Sequence, residues 1–363
     1  MRLLIFIEPT SYHLPLWREI KASASVEMRV IFLAENLTQP WNLDLQDDPT
    51  AEVLRGSWAV KLVRLWQLIG RRDVELVGLA GWGHSLLMAA LLFAGLRRIP
   101  VTMESDTQYE PAAAWWRRVL KRLVLPVLFR IPRLFFPTGT RQAAYFMRYG
   151  VPRARIRIAQ MTVDVRSIMA RVDRYRAQAA SASGGDKPTV FLYVGRLEPH
   201  KGIQDLLDAF VDLPQEDGKS HLIIVGDGSM RGLMESTART HPAVEYLGRL
   251  SGNALIHAYS RADVFVLPSH MEPWGLVINE AMAAGLPVIA TDRVGCVDDL
   301  VREGKNGRVV PSACPARLSE AMRTFVQQPE IVATMGQTSR QMISTWTIED
   351  EARILMTAWD ELR

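Results

Sequence analysis

No stretch of this 363-residue chain constrains its fold as tightly as residues 262–290, ADVFVLPSHMEPWGLVINEAMAAGLPVIA. Its two apolar runs, 262–267 and 286–290, are short, continuous and rich in β-branched residues, as strands buried on both faces are. Between them lie a glycine-bearing loop and a short helical segment, so the unit reads strand, loop, helix, strand. Two carboxylates punctuate it, Glu272 in the loop and Glu280 in the helix. A helix that starts around Gly275 carries Glu280 about one and a half turns in. The amides of Gly275, Leu276 and Val277 are then N-terminal donors without helical partners, a ready anion site. A phosphate at the helix mouth with hydroxyls on either side satisfies all these groups, and that is the shape of a sugar nucleotide.

The remainder of the chain repeats the same alternation. In the first half, strand-like runs at 3–7, 28–33, 76–79, 101–104 and 134–137 are separated by amphipathic stretches at 16–24, 53–69 and 85–96. This rhythm implies βαβ units on a parallel sheet, an α/β class. Residues 166–188 pass into RYRAQAASASGGDKP, which reads as a linker. Strand-like runs resume at 189–194, 221–225 and 244–247, and a helical stretch at 348–362 closes the chain. No internal repeat of 20–50 residues is evident.

Two cysteines, Cys296 and Cys314, rule out a disulfide scaffold and suit a reducing cytoplasm. The apolar opening MRLLIFI ends at Glu8 and Pro9, too early for a signal peptide, and no apolar run approaches the roughly 20 residues of a spanning helix. A cytoplasmic protein is expected. The net charge of +4 conceals an asymmetry, because no acid occurs between Glu110 and Asp164 while eleven Arg and Lys do. Within that window, residues 115–133 (WWRRVLKRLVLPVLFRIPR) interleave basic and apolar residues at helical spacing, with Pro126 and Pro132 expected to break the helix. One reading is a solvated helix whose apolar side packs inward. The other is a basic amphipathic surface with Trp115 and Trp116 at an anionic membrane. No nucleic-acid recognition module is visible.

Among chemistry-bearing motifs, VGRLEPHKG places Arg196 and Lys201 in the loop after a buried strand. Loops at the carboxyl ends of parallel strands converge on one crevice, so these cations can face the Glu272–Glu280 unit. One cation about 4 Å from a developing diphosphate charge is worth roughly 4 kcal/mol at an effective dielectric of about 20, so two cations and a helix mouth can replace a metal. GDGSMRG lacks dinucleotide spacing and reads as a tight turn. The pair Glu104 and Asp106, after the strand-like run 101–104, has residue types that orient or deprotonate an acceptor hydroxyl; capping the following helix is the structural alternative. His13 is the single imidazole of the loop EPTSYHLP.

The ordered set GRLEPHKG, GDG, EYLG, ADVFVLPS, EPWGLVINEAMAAGLPVIATDRVGCVDDLV and GKNGRVV, from Val190 to about Pro311, resembles the retaining glycosyltransferases of family 4. The resemblance implies the GT-B fold, two Rossmann-like domains facing each other across a cleft with a final helix returning to the first. It divides the chain into an acceptor domain at 1–168, a linker at 169–187, a nucleotide-sugar domain at 188–345 and a returning helix at 346–363. By position, Arg196 and Lys201 are implied to bind the donor diphosphate. Glu272 is implied to hold donor-sugar hydroxyls, with the amides after Trp274 on the phosphates, Glu280 on the ribose and Leu250 near the base. The implied reaction moves a sugar from a nucleotide-diphosphate donor, with retention, to a saccharide or lipid-linked acceptor without a metal or other cofactor.

Three departures fall in the first half or at its end. The first loop has no glycines, Glu104-Ser105-Asp106 stands where many relatives have a histidine, and Gln160-Met161 replaces a Pro-Asn pair. Asp106, Glu104 and His13 therefore remain catalytic candidates on their own chemistry alone. A nucleotide-sugar epimerase on the same fold and a non-catalytic nucleotide-sugar-binding protein are the competing expectations.

Overall fold

The computed structural model describes residues 1–10, 13–23, 27–35, 48–110, 114–180, 187–213 and 219–362. The chain forms two compact units, one of residues 1–161 with 348–363 and one of residues 162–347.

In the first unit, β1 (Arg2–Phe6), α1 (His13–Ser23), β2 (Met28–Phe32), β3 (Ala51–Val53), α2 (Trp58–Ile69) and β4 (Leu76–Ala80) follow in order. Then come α3 (Ser85–Leu96), β5 (Val101–Ser105), α4 (Trp115–Leu128), β6 (Leu134–Pro137) and α5 (Thr140–Arg148). The six strands form one sheet of order β3-β2-β1-β4-β5-β6, with every pairing parallel. Side chains alternate across the pleat, so β1 sends Leu3 and Ile5 to one face and Leu4 and Phe6 to the other. The first face is covered by Leu65, Leu68 and Ile69 of α2 and by Leu86, Leu87 and Leu91 of α3. Leu14, Trp17 and Ile20 of α1 cover the second.

The second unit contains α6 (Val165–Ala180), β7 (Thr189–Val194), α7 (Ile203–Val211), β8 (Ser220–Val225), α8 (Arg231–Thr240), β9 (Val244–Tyr246) and α9 (Gly252–Arg261). It continues with β10 (Val264–Leu267), α10 (Leu276–Ala283), β11 (Val288–Thr291), α11 (Val297–Leu300), β12 (Gly307–Val310), α12 (Pro315–Gln327) and α13 (Glu330–Ile343). Its parallel sheet has the order β12-β11-β10-β7-β8-β9. Both sheets therefore reverse strand direction of travel between their first and fourth strands, the pattern of a Rossmann sheet.

The last helix, α14 (Ile348–Asp360), belongs to the first unit, as the fold expectation required. Leu355 and Trp359 are buried beside α1, the Trp359 indole N–H donates to Thr102 Oγ1 at 3.3 Å, and Arg2 pairs with Asp360.

Three readings of the sequence need correction. Residues 53–69 are not one helix: 51–53 form an edge strand, and α2 begins only after Ser57, whose hydroxyl caps the Val60 amide. Residues 169–180, read as linker, lie in α6, because its Arg, Ala and Gln are good helix formers despite their resemblance to spacer composition. The rest of that linker, 181–186, lies outside the described residues. Pro126 does not break α4 but sits inside it, three residues before its C-cap Phe129, where few downstream hydrogen bonds depend on it.

Candidate functional site

Strands β7 and β10 are neighbours at the point where the second sheet reverses its order. The loops leaving their carboxyl ends are bound together, the His270 amide donating to the His200 carbonyl at 2.9 Å. A Cβ at Gly202 would lie 2.1 Å from the Pro268 carbonyl oxygen, so the approach of the two loops requires glycine there. Lys201, which ends the single 3-10 turn Pro199–Lys201, is buried by this contact. Its Nζ lies 2.6 Å from Glu272 Oε2, and both side chains are more than four-fifths buried. Two residues 71 apart in sequence thus form one ion pair.

The helix mouth lies where the sequence places it. Gly275 takes φ +103° as the N-cap of α10, so Leu276 is the first helical residue. Among the described residues, no main-chain carbonyl takes the amides of Gly275, Leu276 or Val277, as the geometry of a helix start dictates. The approach to that mouth is braced on both sides. Gly295 donates to the Glu272 carbonyl at 2.9 Å and Cys296 to the Trp274 carbonyl at 3.0 Å, while the Trp274 indole donates to Asn279 Oδ1 and stacks on Trp346. Glu280, inside α10, accepts a 2.7 Å hydrogen bond from the Tyr259 hydroxyl. Burial raises the Glu280 pKa, and the Tyr259 hydrogen bond opposes that shift. Burial and the nearby Glu280 carboxylate push the Tyr259 hydroxyl well above its ordinary value.

Arg196 is exposed in the loop after β7, with its carbonyl accepting from the Tyr193 hydroxyl at 2.8 Å. Glu198 ties this loop to the turn after β8 through the Ser229 hydroxyl at 2.7 Å, and Gly226 and Gly228 make that turn as GDGSMRG suggested. Leu250 is half-buried immediately before α9. The structure therefore brings Lys201 and Glu272 into contact, sets Glu280 against Tyr259, and leaves Arg196 and Leu250 on flanking loops. Tyr259 was invisible in the sequence, since nothing in ALIHAYSRAD announces a partner 21 residues downstream.

In the first unit the three catalytic candidates do not share one environment. Glu104 is the penultimate residue of β5, and burial raises its pKa to about 7. Asp106 is exposed, and it does not cap the next helix, whose N-cap is Ala114 with no side-chain bond. His13 is the first residue of α1 rather than a loop residue, with its ring against Phe6. Burial lowers its pKa to about 4, against the pull of Glu8, which is buried at the end of β1. Glu8 was legible as an acid following an apolar strand.

The basic window also reverses one expectation. In α4, Trp116, Val119, Leu120, Leu123 and Val127 share one side at i, i+3, i+4, i+7 and i+11, and all are exposed, Leu123 by 69%. The opposite side faces the protein: Leu125 is buried and Lys121 lies over the Tyr145 ring at 5.9 Å. The apolar stripe thus points outward, not into the core. Among the described residues, no helix is long and apolar enough to cross a membrane.

Residues 176–342 match the family model of Glycosyl transferases group 1. Over 191 residues the chain is 32% identical to a glycogen synthase of Mycobacterium tuberculosis, covering 52% of this chain and 45% of that protein. It is 29% identical over 264 residues to the sulfoquinovosyl transferase of Arabidopsis thaliana, covering 70% and 51% respectively. The chain spans about half the length of these curated relatives. Among solved structures, Anabaena HepE in complex with UDP superposes with a TM-score of 0.79 at 18% identity, over 99% of this chain and 100% of that one. The same protein has also been solved with UDP-glucose. The fold is GT-B.

Proposed function

With residues 176–342 forming a glycosyl transferases group 1 domain in a GT-B chain, we propose that this protein is a retaining glycosyltransferase of family 4. It moves a sugar from a nucleotide-diphosphate donor to a hydroxyl of a lipid-linked or membrane-proximal saccharide. One observation carries the donor half: the buried Lys201–Glu272 pair lies in the loops that lead to a helix mouth whose first three amides no main-chain carbonyl takes among the described residues. The UDP-glucose complex of HepE supports the same choice of donor class.

In this reading Lys201, Arg196 and the amides of Gly275, Leu276 and Val277 receive the diphosphate, whose charge grows as the C1–O bond breaks. Glu272 accepts from the sugar hydroxyls and, by pairing with Lys201, keeps that ammonium aimed at the phosphate. Glu280, oriented by Tyr259, accepts from the ribose, and Leu250 lies by the base. The acceptor oxygen bonds C1 on the face the diphosphate leaves, and its proton passes to the departing phosphate oxygen. The cations and amides stabilise the leaving group, so the reaction is written without a resident metal. On the acceptor side, Glu104, whose pKa burial raises to about 7, and Asp106 two residues on orient the acceptor hydroxyl before its proton passes to the phosphate. His13, neutral above about pH 4, is a hydrogen-bonding group there rather than a cation.

The membrane part of the proposal rests on α4, whose exposed apolar stripe is flanked by Arg117 and Arg122, the composition of an interfacial helix. In this proposal the protein works at the cytoplasmic face of an anionic membrane.

The test is a panel of nucleotide sugars with and without saccharide acceptors, read by product analysis and by the anomeric configuration of the linkage. Transfer with retention, lost in Glu272→Ala, is expected. Inversion would refute the retaining mechanism. Conversion of donor to an epimer without acceptor would make the protein an epimerase, and donor binding without turnover would make it a binding protein.

A further inference from the structure

The first unit carries a concavity that the donor and acceptor chemistry leaves unused. It is a pocket of about 900 Å³ lined by Arg98, Arg130, Arg133 and Arg155, and no acidic residue lines it among the described residues. The strands put it far from the acceptor candidates. Arg98 precedes β5 and Arg133 immediately precedes β6, so the pocket lies at the amino-terminal edge of the sheet, whereas Glu104 lies at the carboxyl edge. A five-residue strand separates the two edges by about 17 Å.

Four guanidinium groups around one hollow repel one another unless an anion joins them. Arg155 is held in place, donating to the Arg133 carbonyl at 3.1 Å and the Phe129 carbonyl at 3.0 Å. Burial lowers its pKa first, and the neighbouring Arg133 lowers it further. Arg98, Arg130 and Arg133 enter no ion pair or side-chain hydrogen bond among the described residues, so their donor forks are open. Arg98 also holds φ 57°, a left-handed backbone in which glycine or asparagine is the usual residue. The rest of the described wall is apolar and includes Leu92, Leu96 and Ile131, and Leu96 is 76% exposed.

Two further facts select among anions. A single inorganic phosphate occupies a small part of such a volume, which falls in the range of sites for drug-sized molecules. Arg130 also follows α4 by only two residues, so the chain runs from the outward apolar stripe directly into the pocket. We propose that this arginine-lined pocket binds the phosphate headgroup of an anionic membrane lipid, with Leu92, Leu96 and Ile131 against the first carbons of its chains. Guanidinium groups meet phosphate oxygens bidentately, which a diffuse basic surface does not achieve. The site is a tether distinct from the acceptor site, and it rests on the membrane reading of α4.

The experiment uses the full chain and vesicles of phosphatidylcholine with or without phosphatidic acid, scored by co-sedimentation. Wild type binds the acidic vesicles, and Arg130→Gln/Arg133→Gln weakens binding about thirtyfold, from about fivefold per arginine at an anionic surface. The charge-matched control Arg72→Gln/Arg239→Gln changes it less than about twofold, since neither residue lines the pocket. Dihexanoyl phosphatidic acid raises the melting temperature of wild type and not of the pocket variant. If wild type ignores acidic vesicles, the membrane reading falls and this site with it. If wild type binds and the pocket variant binds equally, only the pocket assignment falls. Equal stabilisation by inorganic phosphate, glycerol phosphate and the short-chain lipid would identify a free-anion site and overturn the lipid assignment.

Discussion

Replacing Glu272 by glutamine removes the charge opposite a lysine that is almost wholly buried. At 2.6 Å and an effective dielectric of about 20, the attraction between the two charges is roughly 6 kcal/mol. Desolvation of both groups offsets much of it, and the residual cost of leaving one partner buried alone is about 3–5 kcal/mol. Lys201→Met should cost a comparable amount, because it leaves the Glu272 carboxylate unmatched. The double variant Lys201→Met/Glu272→Gln leaves no orphaned charge, and its stability should return to within about 2 kcal/mol of wild type. Denaturant unfolding of the four proteins measures the cycle, with coupling expected well above the about 0.5 kcal/mol seen for independent sites. The donor separates the structural role from binding. At 100 times its dissociation constant a nucleotide sugar adds about 2.7 kcal/mol to wild type, and the double variant should lose most of this gain at the same concentration. Single variants as stable as wild type would refute the buried ion pair. A stable double variant that keeps full donor stabilisation would refute the assignment of the pair to the donor.

Other outcomes follow from the same physics. Burial raises the folded pKa of Glu104 from 4.5 to about 7, so its stabilising contribution is complete below pH 4.5 and is lost as pH rises toward 7, by about 3 kcal/mol. Glu104→Gln should flatten that limb of the stability profile. His13 has the opposite sign: its folded pKa falls from 6.5 to about 4, so its contribution is present above pH 6.5 and is lost as pH falls toward 4, and His13→Gln should flatten the acid limb. Tyr259→Phe leaves a buried Glu280 without its donor and should lower stability by about 1–3 kcal/mol while weakening nucleotide binding, measurable by calorimetry. Leu123→Glu in α4 should leave the melting temperature within about 2 °C of wild type, since a surface change is worth about 0.5 kcal/mol or less, yet abolish sedimentation with acidic vesicles. A large loss of stability would show that Leu123 packs against protein.

Much of the secondary structure was legible because burial leaves a periodic record. Residues 134–137, 189–194 and 85–96 are elements with the bounds their apolar runs suggest, and the start of α10 at Gly275 followed from one glycine between a loop and a helical pattern. The edge strands β3 and β12 were not read, because AEV and GRVV are short and half-exposed and have little apolar signal. The alanine-rich end of α6 passed for a spacer because alanine is common to helices and flexible segments alike.

By itself the sequence determined the parallel α/β alternation, the phosphate-accepting helix mouth and which residues share a side of each helix, because these depend on spacing along one segment. Tertiary structure decided the rest. Only the packing of the β7 and β10 loops brings Lys201 within 2.6 Å of Glu272, and only the reach of Tyr259 from α9 supplies a donor to Glu280. Periodicity marks α4 as two-faced without stating which face meets the protein. That choice is made by Leu125 and the Lys121 ammonium over Tyr145, which turn the tryptophans and leucines outward. Spacing along the chain sets a face, whereas contact across the fold sets what that face touches.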